Sequence, residues 1–298
     1  MYLHDEITLM YARVSAAFDS ETKGVVYTGM PTCGKSVGLF YMLLSRMATG
    51  VPVMFSSSTG KSFVFDDAGV WSAETARSTM RQSIHIERSA RMWSLIDHPV
   101  PCVGHPHPGL LNVALLFPVH AVRFEGQRFL SWATNAYALQ FHMDPWESTE
   151  IIRCLRLNTA FRRLEPSVGE SLEREDAMAN VVARSGPTPA DALQEILEPG
   201  RTEESLRRAL HDVNVTDLAA LRSHVISHHV PNELADMLLL WRRRNPPQPG
   251  LSDLVEPRFK SELAFKLLYE RLCQLNLPRL SGASMDDKPQ LILRTAVC

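Results

Sequence analysis

The chain is poor in the features that mark secreted scaffolds, membrane proteins and polyelectrolyte binders. Its 5 cysteines, at 33, 102, 154, 273 and 298, are scattered, odd in number and form no Cys-x-x-Cys pair. Neither a disulfide framework nor a zinc ribbon is expected, and a reducing, intracellular compartment is the simpler setting. His105-Pro106-His107 and His228-His229 have no cysteine or carboxylate at ligand spacing, so no histidine-based metal site is expected. Apolar stretches are interrupted by charge or proline well short of the roughly 20 residues that a bilayer requires, which excludes a spanning helix. Met1 to Met10 carry His4, Asp5 and Glu6 where a secretory signal needs a basic start and an apolar run, so no export signal is expected. Nor does one sign of charge dominate: 31 Lys+Arg against 33 Asp+Glu leave a net charge of -2, without a global cationic field to draw nucleic acid.

What remains is ordinary globular material. With 298 residues, 45% hydrophobic and 21% charged, the chain can bury a sizeable core as one large domain or two modest ones. Ile7, Met10, Tyr11, Val14 and Phe18 recur three or four apart, predicting an amphipathic helix over Ile7–Phe18. Val25-Val26-Tyr27-Thr28 predicts a buried strand, followed by a turn with Gly29, Pro31 and Gly34 and a helix over Val37–Met47. Further strands are expected at Val51–Phe55, at Ser62–Phe65 as a hairpin-like extra strand, at Met92–Asp97, at Leu111–Phe117 and at Ala138–Met143. Strands alternating with helices argue for a mostly parallel sheet of about five strands plus the hairpin strand, covered on both faces.

Past Pro145 the spacing turns helical. Helices are expected over Ser148–Leu157, Ser171–Val182, Asp191–Ile196, Glu203–His211, Val215–Ser227, Glu233–Arg244 and Phe259–Leu275. Hinges are expected at Pro166–Gly169, Ser185–Pro189 and, most clearly, at Asn245-Pro246-Pro247-Gln248-Pro249-Gly250. The expected class is thus α/β: an N-terminal helix over 1–23, a phosphate-loop core over 24–157, and an all-helical lid and C-terminal part over 158–298.

Gly29-Met30-Pro31-Thr32-Cys33-Gly34-Lys35-Ser36 fits G-x-x-x-x-G-K-[ST] and sits between the expected strand and helix. The two glycines let backbone N–H groups turn inward onto phosphate oxygens, and the helix from Val37 offers its positive end. Lys35 is expected to neutralise the β- and γ-phosphates, and the Ser36 hydroxyl to hold magnesium, which keeps an oxygen shell. ATP and Mg2+ are therefore the expected ligands. Asp97 closes the apolar run Met92–Ile96, where an acidic residue reaches the metal through water, and an intervening second strand favours the ATPase branch over nucleotide kinases. The next residue is His98, so no adjacent glutamate activates water and the general base stays unassigned. Glu147, Asp66 and Asp67 are alternatives, although a helix N-terminal carboxylate and a solvated turn are the plainer readings.

Together, Gly24–Ser36 with Val37–Leu44, Phe65–Trp71, Trp93–Asp97 and Phe141–Glu147 with Glu150-Ile151 resemble the NTPase domain of Crinkler-type effectors and of retrotransposon hot spot proteins, over Gly24–Leu157. The resemblance implies that Lys35 and Ser36 bind ATP and magnesium, that Asp97 is the Walker B acid, that Trp146 and Glu147 open the lid helices, and that host cell or nucleus is the working location. It also implies departures. Thr32 replaces a loop glycine, Phe117-Pro118 stands where a polar γ-phosphate sensor belongs, and Gly186–Pro189 lacks the expected arginine, for which Arg184 is the nearest substitute. Relatives combine a delivery segment, this module and a toxic C-terminal domain, and the chain is read as the NTPase module alone.

Three functions follow for comparison: an ATPase whose output is lid motion; a non-catalytic module in which ATP orders the helical half for a protein or nucleic-acid partner; and a small-molecule kinase, disfavoured by strand order. Oligomeric state stays open. The basic runs Arg162-Arg163 and Arg242-Arg243-Arg244 read as solvated faces rather than phosphate contacts, Cys33 as a small residue that fits its loop rather than a reactive thiol, and Trp71, Trp93, Trp132, Trp146 and Trp241 as packing anchors.

Overall fold

A computed structural model describes residues 4–20, 22–30, 32–57, 61–67, 69–72, 91–97, 115–121, 138–164, 166–172, 174–214, 216–217, 233–248 and 250–275. By contacts the chain divides into two units, one of Asp5–Met143 with Arg243–Leu254, the other of Met1–His4, Asp144–Arg242 and Val255–Cys298.

The first unit opens with α1 (Asp5–Asp19), whose Ile7, Met10 and Val14 are buried as their spacing dictates. It continues with β1 (Val25–Thr28), α2 (Lys35–Ala48), β2 (Val53–Ser56), β3 (Ser62–Asp66), β4 (Gly69–Ser72), β5 (Arg91–Ile96), β6 (Leu115–Ala121) and β7 (Leu139–His142). The sheet order is β4-β3-β2-β5-β6-β1-β7. Every pairing from β2 through β5, β6 and β1 to β7 is parallel, while β3 and β4 add an antiparallel hairpin at the opposite edge. Five parallel strands agree with expectation, and the hairpin contributes two strands rather than one because Gly69–Ser72 folds back on Phe63–Asp66. Strand β6 lies between β1 and β5, so the loop strand and the strand that Asp97 follows are not neighbours in the sheet. The core of this unit gathers around Trp93, fully buried, with Tyr11, Phe18 and Phe117 within 6.5 Å between ring centres.

One register differs from expectation. The strand expected at Leu111–Phe117 continues through Pro118, opposite Ser94, to Ala121, while residues 111–114 lie outside the described residues. In a parallel strand successive N–H groups face alternate neighbours, so a proline forfeits one ladder bond to one side and need not end the strand.

In the second unit, α3 (Ser148–Leu155), α4 (Thr159–Arg162), α5 (Pro166–Leu172), α6 (Glu175–Ser185), α7 (Pro189–Leu197), α8 (Arg201–His211), α9 (Glu233–Leu238) and α10 (Glu262–Gln274) surround two apolar clusters. One cluster joins Trp146, Ile151, Leu155, Phe161 and Met178; the other joins Leu206, Leu210, Leu238, Leu267 and Leu268. Three expectations are corrected. The hinge at Pro166–Gly169 is the start of α5, where proline suits the first helical turn. The single helix expected over Ser171–Val182 is two, with Arg174 as the N-cap of α6 and Glu175 and Asp176 in its first turn. The helix expected over Glu233–Arg244 ends at Leu238 and becomes β8 (Leu239–Arg243), paired with β9 (Val255–Phe259). The all-helical expectation therefore fails at a two-stranded ribbon. Leu239, Leu240 and Trp241 are consecutive and all buried, a pattern no single helix face provides. Most of the helix expected over Val215–Ser227 lies outside the described residues. Among the described residues no helix is long and apolar enough to cross a membrane.

Candidate functional site

The loop between β1 and α2 forms because its residues can take the backbone states it needs. Gly34 caps α2 in the left-handed region at φ 103°, and its carbonyl accepts the first helical bond, from Gly38 N–H at 2.8 Å. Gly29 has no room for a side chain: a Cβ there would lie 2.7 Å from Cys33 Sγ and 3.2 Å from Met143 Cβ. Thr32 also lies at positive φ, 62°, a state that a β-branched residue reaches only under strain. Pro31 lies outside the described residues.

Lys35 folds back over the loop. Its Nζ donates to Gly29 O at 2.8 Å and Met30 O at 2.7 Å, and lies 3.7 Å from Cys33 Sγ. The ammonium thus rests on carbonyl oxygens at the place where anionic oxygens would compete for it. The Ser36 hydroxyl donates to Asp97 Oδ1 at 2.9 Å, joining two residues 61 apart in sequence. Asp97 is held there by its own backbone, whose N–H donates to Ser56 O at 2.9 Å at the end of the neighbouring parallel strand. Ser36 and Val37 are exposed, and Lys35 and Asp97 half-buried. A hydroxyl and a carboxylate, both oxygen donors, are the hard ligand types that magnesium takes, and the pair fits that ion. The sequence-derived residues Gly29, Met30, Thr32, Cys33, Gly34, Lys35, Ser36, Val37 and Asp97 are therefore assembled around one loop.

Beneath the loop, Tyr27 is fully buried and its hydroxyl donates to Lys35 O. Burial, together with Cys33 and Asp97 nearby, holds its phenol well above the ordinary value. Burial likewise pushes the Cys33 thiol up, against the opposing pull of Lys35. A neutral, fully buried thiol filling the space under Gly29 agrees with the plainer reading of Cys33 and not with a reactive one. Thr28 Oγ1 lies 3.1 Å from His142 Nδ1, and Met143 N–H donates to Thr28 O at 2.8 Å, so the end of β7 braces the strand that enters the loop. No local signal marked Tyr27, Thr28 or His142 as site residues.

The other candidates are otherwise engaged. Asp66 accepts from Gly69 N–H at 3.0 Å and Trp71 Nε1 at 3.1 Å, closing the β3–β4 turn, with Asp67 exposed beside it. In the second unit, Glu147 caps α3 reciprocally with Glu150, whose carboxylate accepts Glu147 N–H at 3.0 Å. Arg184 pairs with Glu195 at 2.9 Å and approaches Glu203 at 3.8 Å. Phe117 and Pro118, expected at a strand end, lie inside β6, which runs to Ala121, and Phe117 is a buried core residue. Arg162 and Arg163 are exposed as expected, but Arg243 is not part of a solvated face: it binds Glu6 at 2.5 Å with only 7% of its side chain accessible. His98, His105, His107, Trp132, His228 and His229 lie outside the described residues, and no cluster of three metal-ligating side chains occurs among those described.

No protein-family model and no curated protein matches the chain. Among solved structures it has distant likenesses at low identity. The Holliday junction branch migration motor RuvB of Thermotoga maritima shares 14% identity over 78% of this chain and 80% of that chain, with a TM-score of 0.36. The replication initiator DnaA bound to AMPPCP and single-stranded DNA shares 12% over 80% and 83%, with a TM-score of 0.38. The Orc1 protein of Aeropyrum pernix in complex with DNA shares 12% over 90% and 93%, with a TM-score of 0.36. Likenesses this distant say nothing about what the present chain binds.

Proposed function

We propose that the chain binds ATP with magnesium at Gly29–Val37 and Asp97 and hydrolyses it, as the NTPase module of a Crinkler-like effector, with residues 158–298 as the part that responds. The observation that carries this reading is the Ser36–Asp97 hydrogen bond, which unites the loop serine with the acid that follows β5 at 2.9 Å. In this reading Lys35 leaves the carbonyls of Gly29 and Met30 for the β- and γ-phosphates, and the loop N–H groups and the start of α2 take the remaining oxygens. Ser36 and Asp97 would hold magnesium, which neutralises phosphate charge when bound. In hydrolysis a water oxygen bonds to the γ-phosphorus while the bond to the β-phosphate oxygen breaks, giving ADP and inorganic phosphate and releasing a proton.

A second reading is a non-catalytic module in which bound ATP orders the helical residues for a protein or nucleic-acid partner. It gains support from the engagement of Asp66 in its turn and of Glu147 in its helix cap, which leaves neither as an obvious base. Phosphate release from the purified chain separates the two. Turnover that Lys35→Ala abolishes supports the enzyme; ATP binding without turnover supports the module; phosphate appearing on an added metabolite would turn the reading to a kinase. No heat of binding from ATP or GTP with Mg2+ would end all three.

A further inference from the structure

The loop joining β8 to β9 belongs by its contacts to the sheet unit, although both flanking strands lie largely in the other unit. It covers the outer edge of β7, the last strand of the sheet. Gln140 N–H donates to Ser252 Oγ at 2.9 Å, and Asp253 N–H to Gln140 O at 2.7 Å. Asp253 then turns its carboxylate inward. Oδ2 accepts His142 N–H at 2.7 Å and Arg13 at 2.7 Å, while Oδ1 accepts the second arm of Arg13 at 2.9 Å. Both side chains are only 5% accessible. Arg13 also donates to Leu251 O at 3.1 Å and lies 3.8 Å over the Phe141 ring. The residue that Asp253 grips, His142, is the one whose ring meets Thr28 immediately before Gly29, and the next residue, Met143, is the wall against which Gly29 packs.

We propose that Asp253, locked by Arg13, is a positioning residue for the phosphate loop: it fixes the end of β7, and through His142–Thr28 and Met143–Gly29 it sets the loop in its binding shape. This rests on the nucleotide site proposed above. A stabilising ion pair alone would explain the Arg13–Asp253 contact but not the aim of the same carboxylate oxygen at the His142 amide.

The test measures Mg-ATP affinity by calorimetry on the full chain, beside thermal stability without nucleotide, for Asp253→Asn, Thr28→Val and the double variant. Asn keeps the size of Asp253 but removes its charge and one acceptor, and Val keeps the shape of Thr28 without its hydroxyl. The expected result is about a tenfold loss of affinity in each single variant, within the usual range for coupled sites. The double variant should lose little more, because both cuts fall on one route. Lower melting with unchanged affinity in folded Asp253→Asn overturns the proposal. Should that variant fail to fold, unchanged affinity in folded Thr28→Val overturns it instead. A wild-type chain that binds no Mg-ATP overturns the site reading and this proposal with it, whereas wild-type binding with unaffected variants removes this proposal alone.

Discussion

Thr32 carries the phosphate loop through a backbone state that its branched side chain resists, at φ 62°. Left-handed strain in a non-glycine residue costs about 1–3 kcal/mol, against about 0.5–1 kcal/mol of extra unfolded-state freedom for glycine. Thr32→Gly should accordingly raise stability by about 1 kcal/mol in urea titration, and a loss of stability would show that the strain is relieved elsewhere. Gly38 poses the opposite case. An added Cβ would sit 3.2 Å from the Tyr27 hydroxyl, so the roughly 1 kcal/mol that alanine usually gains in a helix is offset by that contact. Gly38→Ala alone should be neutral or destabilising in the same titration, and in a Tyr27→Phe background it should gain most of that amount. Cys33 lies between these two positions. Its folded thiol is held above its ordinary value, so the folded state keeps a proton that the unfolded state gives up. Stability is whole below the ordinary thiol value, about 8.5, and declines as pH rises past it. Unfolding titrations from pH 7 to 10 should show a shallower alkaline decline in Cys33→Ala, and alkylation of Cys33 in the folded chain should lag behind that of exposed Cys273.

Among the elements, the turn into α7 isolates a single cap. The Thr188 side chain, fully buried, accepts from Asp191 N–H at 3.1 Å and donates to Asp191 Oδ2 at 2.8 Å. Thr188→Ala should cost about 1 kcal/mol in melting or urea titration, and no change would mean that Pro189 alone starts the helix. The phosphate turn was legible in sequence because its signals are local, two glycines around the turn and an aspartate after an apolar strand, whereas the Thr188 cap was hidden in a stretch read as a hinge over Ser185–Pro189. The run Leu238-Leu239-Leu240-Trp241 was not legible either, since four apolar residues in succession carry neither helical nor strand period. Pro118 misled in the other direction, suggesting a strand end where the chain spends one ladder bond and continues to Ala121. The run Asn245–Gly250, read as a hinge, leads into Ser252 and Asp253, which pair with the edge of the sheet, and its prolines say nothing of where those residues dock.

For the whole molecule, ligand linkage offers a test that needs no assay of turnover. A ligand that binds only the folded state at a hundred times its dissociation constant adds about 2.7 kcal/mol. Mg-ATP should therefore raise the melting temperature of the sheet unit by several degrees, an effect that Lys35→Ala should largely remove. The loop, Lys35, Ser36 and Asp97 were readable at this scale because one motif and one strand-ending acid sufficed to find them. Thr28, His142 and Asp253 were not, because their meeting is fixed by the fold: His142 lies 114 residues from Thr28 and 111 from Asp253.

That last separation matters during synthesis. The outer margin of β7 gains its covering residues only when Ser252 and Asp253 have been made. At about 5–20 residues per second, the ribosome takes roughly 6 to 22 s to supply them after His142. Over that interval the nascent sheet presents unpaired backbone groups to every neighbouring chain. A chaperone that shields strand margins should therefore engage this polypeptide while it is still attached to the ribosome, and release it once the loop has been translated.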